Sequence, residues 1–338
     1  MTGTSQNRWR RQAVVAGSAI VGLLLLVSCD KLPTQPTDPG SAPPPGSQAT
    51  RSTGPIAFVS DRDGAEWIYL ANEDGSVVTP LVATKTVSRF VISMPAWAKD
   101  GRRIAYSTGQ NIHVVGVDGS GDRVIADRGS APAWSPDGRW LAFVGNSGGI
   151  PTAPRSLELV NVDGSNRRTL FDDGGYASTP KWSPDGQRIL YVADGGWFDS
   201  CFGLWIVNAD GSNARQLGGP GVGRPAFNCD GATLSDGLWP AWSPDGSEIA
   251  FVGQAGGGSA QFSIHVVRAD GSGRRLRVPA PAAYPDLTPD GRLIYTKGPW
   301  DGTRRIFISD GGTERQLIPD ATAPARPSYS DSQAVWLR

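Results

Sequence analysis

Two histidines, three cysteines and a small set of loop aromatics are the side chains of this 338-residue chain with the chemistry to react or to bind. His113 and His265 occupy the same place in two matching segments, IHVVGVDGS and IHVVRADGS, so they read as repeated strand residues and not as an acid–base pair. The sequence contains no His-Glu-x-x-His pair and no phosphate-binding glycine loop. Asp61-Arg62-Asp63-Gly64 has the acidic spacing that opens a calcium loop. It lacks the distal carboxylate of an EF-hand and lies between two apolar runs, which favours a hairpin turn. The expectation is therefore a non-enzymatic protein with no catalytic residue, no cofactor and no metal site.

Cysteine supplies two further expectations. Arg8, Arg10 and Arg11 precede an apolar run over residues 13–28 that ends in Leu26-Val27-Ser28-Cys29. The run is short for a membrane span and suits a signal peptide over residues 1–28. Its last four residues resemble the bacterial lipobox, which implies that Cys29 becomes an acylated first residue and anchors the chain to a membrane, with palmitate among its acyl chains; an uncleaved anchor with an incidental cysteine is the alternative. Residues 29–53 are rich in Pro, Ser and Thr and have no apolar periodicity, so they predict an unfolded tether. A coil of that length spans roughly 25 to 30 Å. Export implies an oxidising compartment, in which Cys201 and Cys229 are candidates for a disulfide between two long loops. Two separate buried thiols are the other reading.

These residues need a scaffold, and the scaffold is repetitive. A tryptophan followed by Ser-Pro-Asp-Gly recurs in PAWSPDGRWLAFV from Pro132, PKWSPDGQRILYV from Pro180 and PAWSPDGSEIAFV from Pro240. Degenerate copies begin at Pro95, Pro285 and Pro327, the last two with Leu287 and Tyr329 in place of tryptophan. A second signal follows each, an apolar strand ending in an Asp-Gly turn, as in LELVNVDGS from Leu157 and LWIVNADGS from Leu204. Proline presets φ for a turn and glycine accepts the positive φ that closes it. Each unit of about 47 residues thus predicts four short antiparallel strands, a period that marks a propeller. Residues 54–338 are expected to form an all-β, six-bladed β-propeller of four-stranded antiparallel blades, closed by N- and C-terminal strands. The closing strand is expected at residues 326–330, leaving residues 334–337 as a surplus strand. Trp97, Trp134, Trp182 and Trp242 are expected to wedge between neighbouring blades.

Alternating hairpins put both turn motifs on one face of the ring and the long loops, Cys201 and Cys229 among them, on the other. Binding residues favour variable loops on a rigid frame. Trp197, Phe198, Arg224, Phe227, Trp300 and Arg304 are the candidate partner-binding residues there, since Trp and Arg are the commonest interface anchors; loops packed on their own aromatics are the plainer reading. With 32 basic and 32 acidic residues, nothing favours nucleic acid.

The ordered motifs, including the opening IAFVSDRDG, resemble the WD40-like repeats of TolB-type propellers over roughly Gly54 to Tyr329. The resemblance implies a bacterial envelope protein on the periplasmic or extracellular side of a membrane, and a propeller used for protein binding. TolB-type proteins carry an α/β domain ahead of the ring, where this chain has the Pro-rich stretch. The expected role is a lipid-anchored scaffold that binds an envelope protein through the long-loop face. Cell-wall glycan binding through loop tryptophans, or a relative of propeller-type hydrolases and lyases without a recognisable active site, are the alternatives.

Overall fold

The computed structural model describes residues 56–63, 66–83, 92–146, 155–171, 177–194, 202–217, 238–254, 262–298, 304–318 and 331–337. They form six four-stranded antiparallel sheets. Blade 1 takes three strands from the amino-terminal side, β1 (Ile56–Ser60), β2 (Trp67–Ala71) and β3 (Val78–Ala83). Blade 2 is β4 (Ile92–Trp97), β5 (Arg103–Thr108), β6 (Asn111–Gly116) and β7 (Arg123–Ala126). Blade 3 is β8 (Gly129–Trp134), β9 (Trp140–Asn146), β10 (Arg155–Asn161) and β11 (Arg168–Phe171). Blade 4 is β12 (Ala177–Trp182), β13 (Arg188–Asp194), β14 (Phe202–Asn208) and β15 (Arg215–Gln216). Blade 5 is β16 (Leu238–Trp242), β17 (Glu248–Gln254), β18 (Phe262–Arg268) and β19 (Arg275–Val278). Blade 6 is β20 (Ala282–Leu287), β21 (Leu293–Lys297), β22 (Arg305–Ser309) and β23 (Glu314–Gln316). The last strand, β24 (Asp331–Trp336), returns to pair with β1 and completes blade 1.

Sequence patterns explain the layering. Second strands such as β1 read IAFVS and are buried along their whole length, because each blade face packs on a neighbouring blade. Outer strands such as β19, RLRV, expose most of their residues, and two arginines occupy that free edge.

Each Ser-Pro-Asp-Gly tetrad locks one hairpin. In the blade 3 copy the Ser135 hydroxyl donates to Asp137 Oδ1 at 2.5 Å and accepts the Trp140 N–H at 2.9 Å. Gly138 closes the turn at φ 69° and donates its N–H to the Ser135 carbonyl. The same hydroxyl contacts recur at Ser183 and Ser243.

The inner strands carry a repeated bulge that the motifs do not announce. Ala131, Thr179, Trp239, Tyr284 and Gln333 all have φ between 47° and 53°, each beside a register shift against the second strand. A non-glycine residue in this region stores strain, and only a surrounding fold that over-determines it keeps it there.

That bulge corrects the expected ring closure. Gln333 occupies the bulge position, so Trp336, and not Tyr329, is the strand-end aromatic of the sixth inner strand, and the closing strand is Asp331–Trp336. The supposed surplus strand is the closing strand itself. PSY from Pro327 imitates PAW, whereas the true copy, QAVW, has alanine and not proline after its bulge residue.

Candidate functional site at the mouth of the ring

All six inner strands run toward the Ser-Pro-Asp-Gly face, so their last residues converge on the ring axis. A cavity of about 250 Å³ opens there. Trp97, Trp134, Trp182 and Trp242 line it together with Pro136, Pro184, Pro244 and Pro289 of the turns. The residues just before the strand-end position, Ala96, Ala133, Lys181, Asp286 and Val335, line it too, as do Lys99 and Ser135 of the turns. The wall is thus aromatic and apolar, with one inner-strand cation and one anion. A second cavity of about 380 Å³ runs outward between blades 3 and 4 and shares Ser135, Pro136 and Trp182 with the first.

The four tryptophans are not equivalent. Trp134 donates its indole N–H to the Ala96 carbonyl of blade 2 at 3.1 Å, and Trp242 to the Lys181 carbonyl of blade 4 at 3.2 Å. A guanidinium covers each ring, Arg103 at 4.8 Å and Arg188 at 5.4 Å from the centroids. These two are bonded across the interface they wedge, while Trp97 packs against an apolar cluster shared by blades 1 and 2 and Trp182 against one shared by blades 3 and 4, so all four sit between blades as the repeat predicts. Trp97 and Trp182 are half-buried, and their indole nitrogens, shielded from solvent, have no hydrogen-bond partner among the described residues. In blade 3 the place of Arg103 and Arg188 is taken by Trp140, whose ring lines the second cavity with Trp182.

The acidic turn residues edging the mouth are held ionised. Donation from the Ser243 hydroxyl, with help from the Ser247 N–H and hydroxyl, lowers Asp245 to about 2. Hydroxyl donation from Ser183 and Thr288 likewise holds Asp185 and Asp290 below the usual carboxylate range.

Of the residues expected to bind or bond, only Arg304 lies among those described. Cys29, Trp197, Phe198, Cys201, Arg224, Phe227, Cys229 and Trp300 fall outside them. Arg304 is half-buried at the base of the long-loop face, where it and Gln333 hydrogen-bond the Tyr284 hydroxyl. Burial pushes that hydroxyl's pKa up, against the pull of those two donors. The Tyr284 ring lies 4.3 Å from Trp239, which meets Phe262 edge-on. Arg304 is therefore built into an aromatic cluster at the base of that face.

Both histidines are strand residues. His113 contacts Asp122 at 3.2 Å and stacks on Tyr106, while His265 contacts Ser263 at 2.8 Å and stacks on Phe251. Neither lines either cavity. Asp61–Asp63 enter the β1–β2 hairpin, with Arg62 buried 5.1 Å from the Phe58 and Tyr69 rings and Asp63 accepting the Tyr69 hydroxyl. Among the described residues, no three His, Cys, Asp or Glu side chains are grouped closely enough to hold a metal ion, and no helix is long and apolar enough to cross a membrane.

The Trp–Pro mouth escaped sequence reading although every residue in it belongs to a recognised repeat. Its signal was the pairing of a strand-end aromatic with a following proline in the same column of successive units, which ring geometry turns into a circle.

The family described as TolB beta propeller domain matches residues 56–236. Among solved structures, TolB from Acinetobacter baumannii aligns with a TM-score of 0.66 and 18% identity, over 84% of this chain and 66% of its own. This chain thus spans just under two thirds of that protein's length. A chain of the nidogen/laminin complex aligns at 0.59 with 15% identity, over 83% of this chain and 97% of its own. Oligogalacturonate lyase from Vibrio parahaemolyticus aligns at 0.50 with 17% identity, over 79% and 75%. Likeness at these identities is likeness of fold. No curated protein matches the sequence.

Proposed function

This chain belongs to the TolB beta propeller family, and from that premise we propose that it is a non-enzymatic, lipid-anchored binding module of a bacterial cell envelope that engages a protein partner at the mouth of its ring. One observation carries the reading: an open cavity where four tryptophans and four prolines converge. Rigid aromatic rings in a concave apolar setting are the usual anchors of protein recognition, because they bury much area for little lost freedom. The histidines, the residues best suited to acid–base work, are committed to contacts within their own blades, which supports a binding role over catalysis. The long-loop residues Trp197, Phe198, Arg224, Phe227 and Trp300 are proposed as a second contact surface, since the Trp239–Tyr284–Arg304 cluster gives that face a rigid base.

Site-specific photo-crosslinking in the native envelope tests this. A crosslinker at Lys99, an exposed residue of the mouth, is expected to capture a protein, and one at Val124, exposed on an outer strand, is not. Capture only from Trp197 or Trp300 would move the binding face to the long loops. Retention of the intact protein on purified cell-wall glycan, abolished in Trp197→Ala and Trp300→Ala, would favour carbohydrate.

A further inference from the structure

We propose that the mouth of the ring is an autoinhibitory dock for the chain's own proline tract, residues 40–46 (GSAPPPG), which a partner must displace. This rests on the protein-binding reading of the mouth and adds its regulation. Three observations converge on it. First, the chain enters the ring on this face: Ile56 pairs with Trp336 and Ala57 with Val335, and Val335 lines the cavity. The segment before Ile56 therefore starts about one strand spacing, roughly 4.8 Å, from the wall of the mouth.

Second, the reach is adequate. Eleven peptide steps separate Pro45 from Ile56, a coil of roughly 18 Å and about 34 Å when extended as polyproline II. A tether of that length holds its end at an effective concentration on the order of millimolar.

Third, the chemistry of the wall fits a proline run. Grooves walled by aromatic rings take polyproline II segments, whose backbone is unbonded internally and presents free carbonyls. Consecutive prolines have no N–H to satisfy, so a site that offers donors is sufficient. Trp97 and Trp182 hold the two indole N–H groups in this wall with no partner among the described residues, whereas those of Trp134 and Trp242 are fastened to neighbouring blades. Docking requires either ring to tilt so that its N–H, shielded in this structure, faces a docked carbonyl.

The test uses the full chain in detergent micelles with 15N-labelled tryptophan, wild type against P43S/P44S/P45S. The indole signals of Trp97 and Trp182 are assigned from Trp97→Phe and Trp182→Phe spectra. We expect those two signals to differ between wild type and the triple variant. Synthetic GSAPPPG should return them toward the wild-type positions in the variant, and should bind wild type about tenfold more weakly because the tethered copy competes. Identical indole signals in the two chains would overturn the proposal, as would a peptide that moves neither signal. Equal peptide affinity for both chains would also overturn self-docking, yet would leave the mouth as a protein-binding site. The same pair of chains with the Lys99 crosslinker separates the two ideas. Stronger capture in the triple variant supports self-docking, equal capture overturns it alone, and no capture from either chain overturns the protein-binding reading.

Discussion

At the scale of single residues, position in the repeat and position in the ring decide different things. Trp242 and Trp182 occupy the same repeat column, yet the first is 1% exposed and bonded across the blade interface, and the second is half-buried at the cavity. Trp242→Ala is expected to cost about 3 to 5 kcal/mol, seen as a lower thermal midpoint. Trp182→Ala should cost clearly less and instead weaken capture from Lys99. The turn carboxylates add an acid sensitivity. Asp245 titrates at about 2 when folded, below its ordinary 3.8. Its stabilisation is therefore complete above about pH 4 and is lost as pH falls toward 2. Asp245→Asn should lower stability at pH 7 by up to about 1 kcal/mol, the turn being exposed, with the difference from wild type vanishing near pH 2 in denaturant titrations. At Cys29, replacement by alanine is expected to abolish lipid labelling; unchanged labelling would sink the anchor.

Between elements, the same motif glycines do two jobs. Gly138 closes its hairpin at φ 69°, and a Cβ there would meet only an Arg103 side-chain nitrogen at 3.5 Å. Gly75, in the Asp-Gly turn of blade 1 at φ 74°, would place a Cβ 1.8 Å from the Leu317 carbonyl oxygen of blade 6. Arg292 of blade 6 reaches Glu73 of the same turn at 2.7 Å, so this seam is closed by contact and by charge. Gly138→Ala should cost about 1 to 2 kcal/mol, the penalty of positive φ alone. Gly75→Ala should cost distinctly more, because backbone must move at the seam; equal midpoints for the two variants would refute that account. The strand and turn plan was legible since each motif is local. The inner-strand bulge was not, because Ala131, Thr179, Trp239, Tyr284 and Gln333 share a backbone angle and no residue type.

For the whole molecule, closure is the central event. β24 brings the last residues of the chain to the first strand, and Leu337 packs against Gly101 of blade 2. Removing residues 331–338 leaves blade 1 with three strands and exposes the apolar edge of β1. Such a chain is expected to lose cooperative unfolding and to aggregate, whereas removal of Arg338 alone should change little. The sequence by itself determined the number of blades, their strands apart from the closing one, and the face on which each turn lies, because hairpins obey residue order and local φ preferences. It also marked Trp97, Trp134, Trp182 and Trp242 as structural equals. Only the tertiary structure decided that Trp336 ends the closing strand and that Trp97 and Trp182 stand apart from Trp134 and Trp242. It alone made the repeated Trp and Pro columns the wall of one cavity. A column of identical residues becomes a surface only when ring closure points every copy at a common axis, and the difference between copies lies in their neighbours across the blade interface.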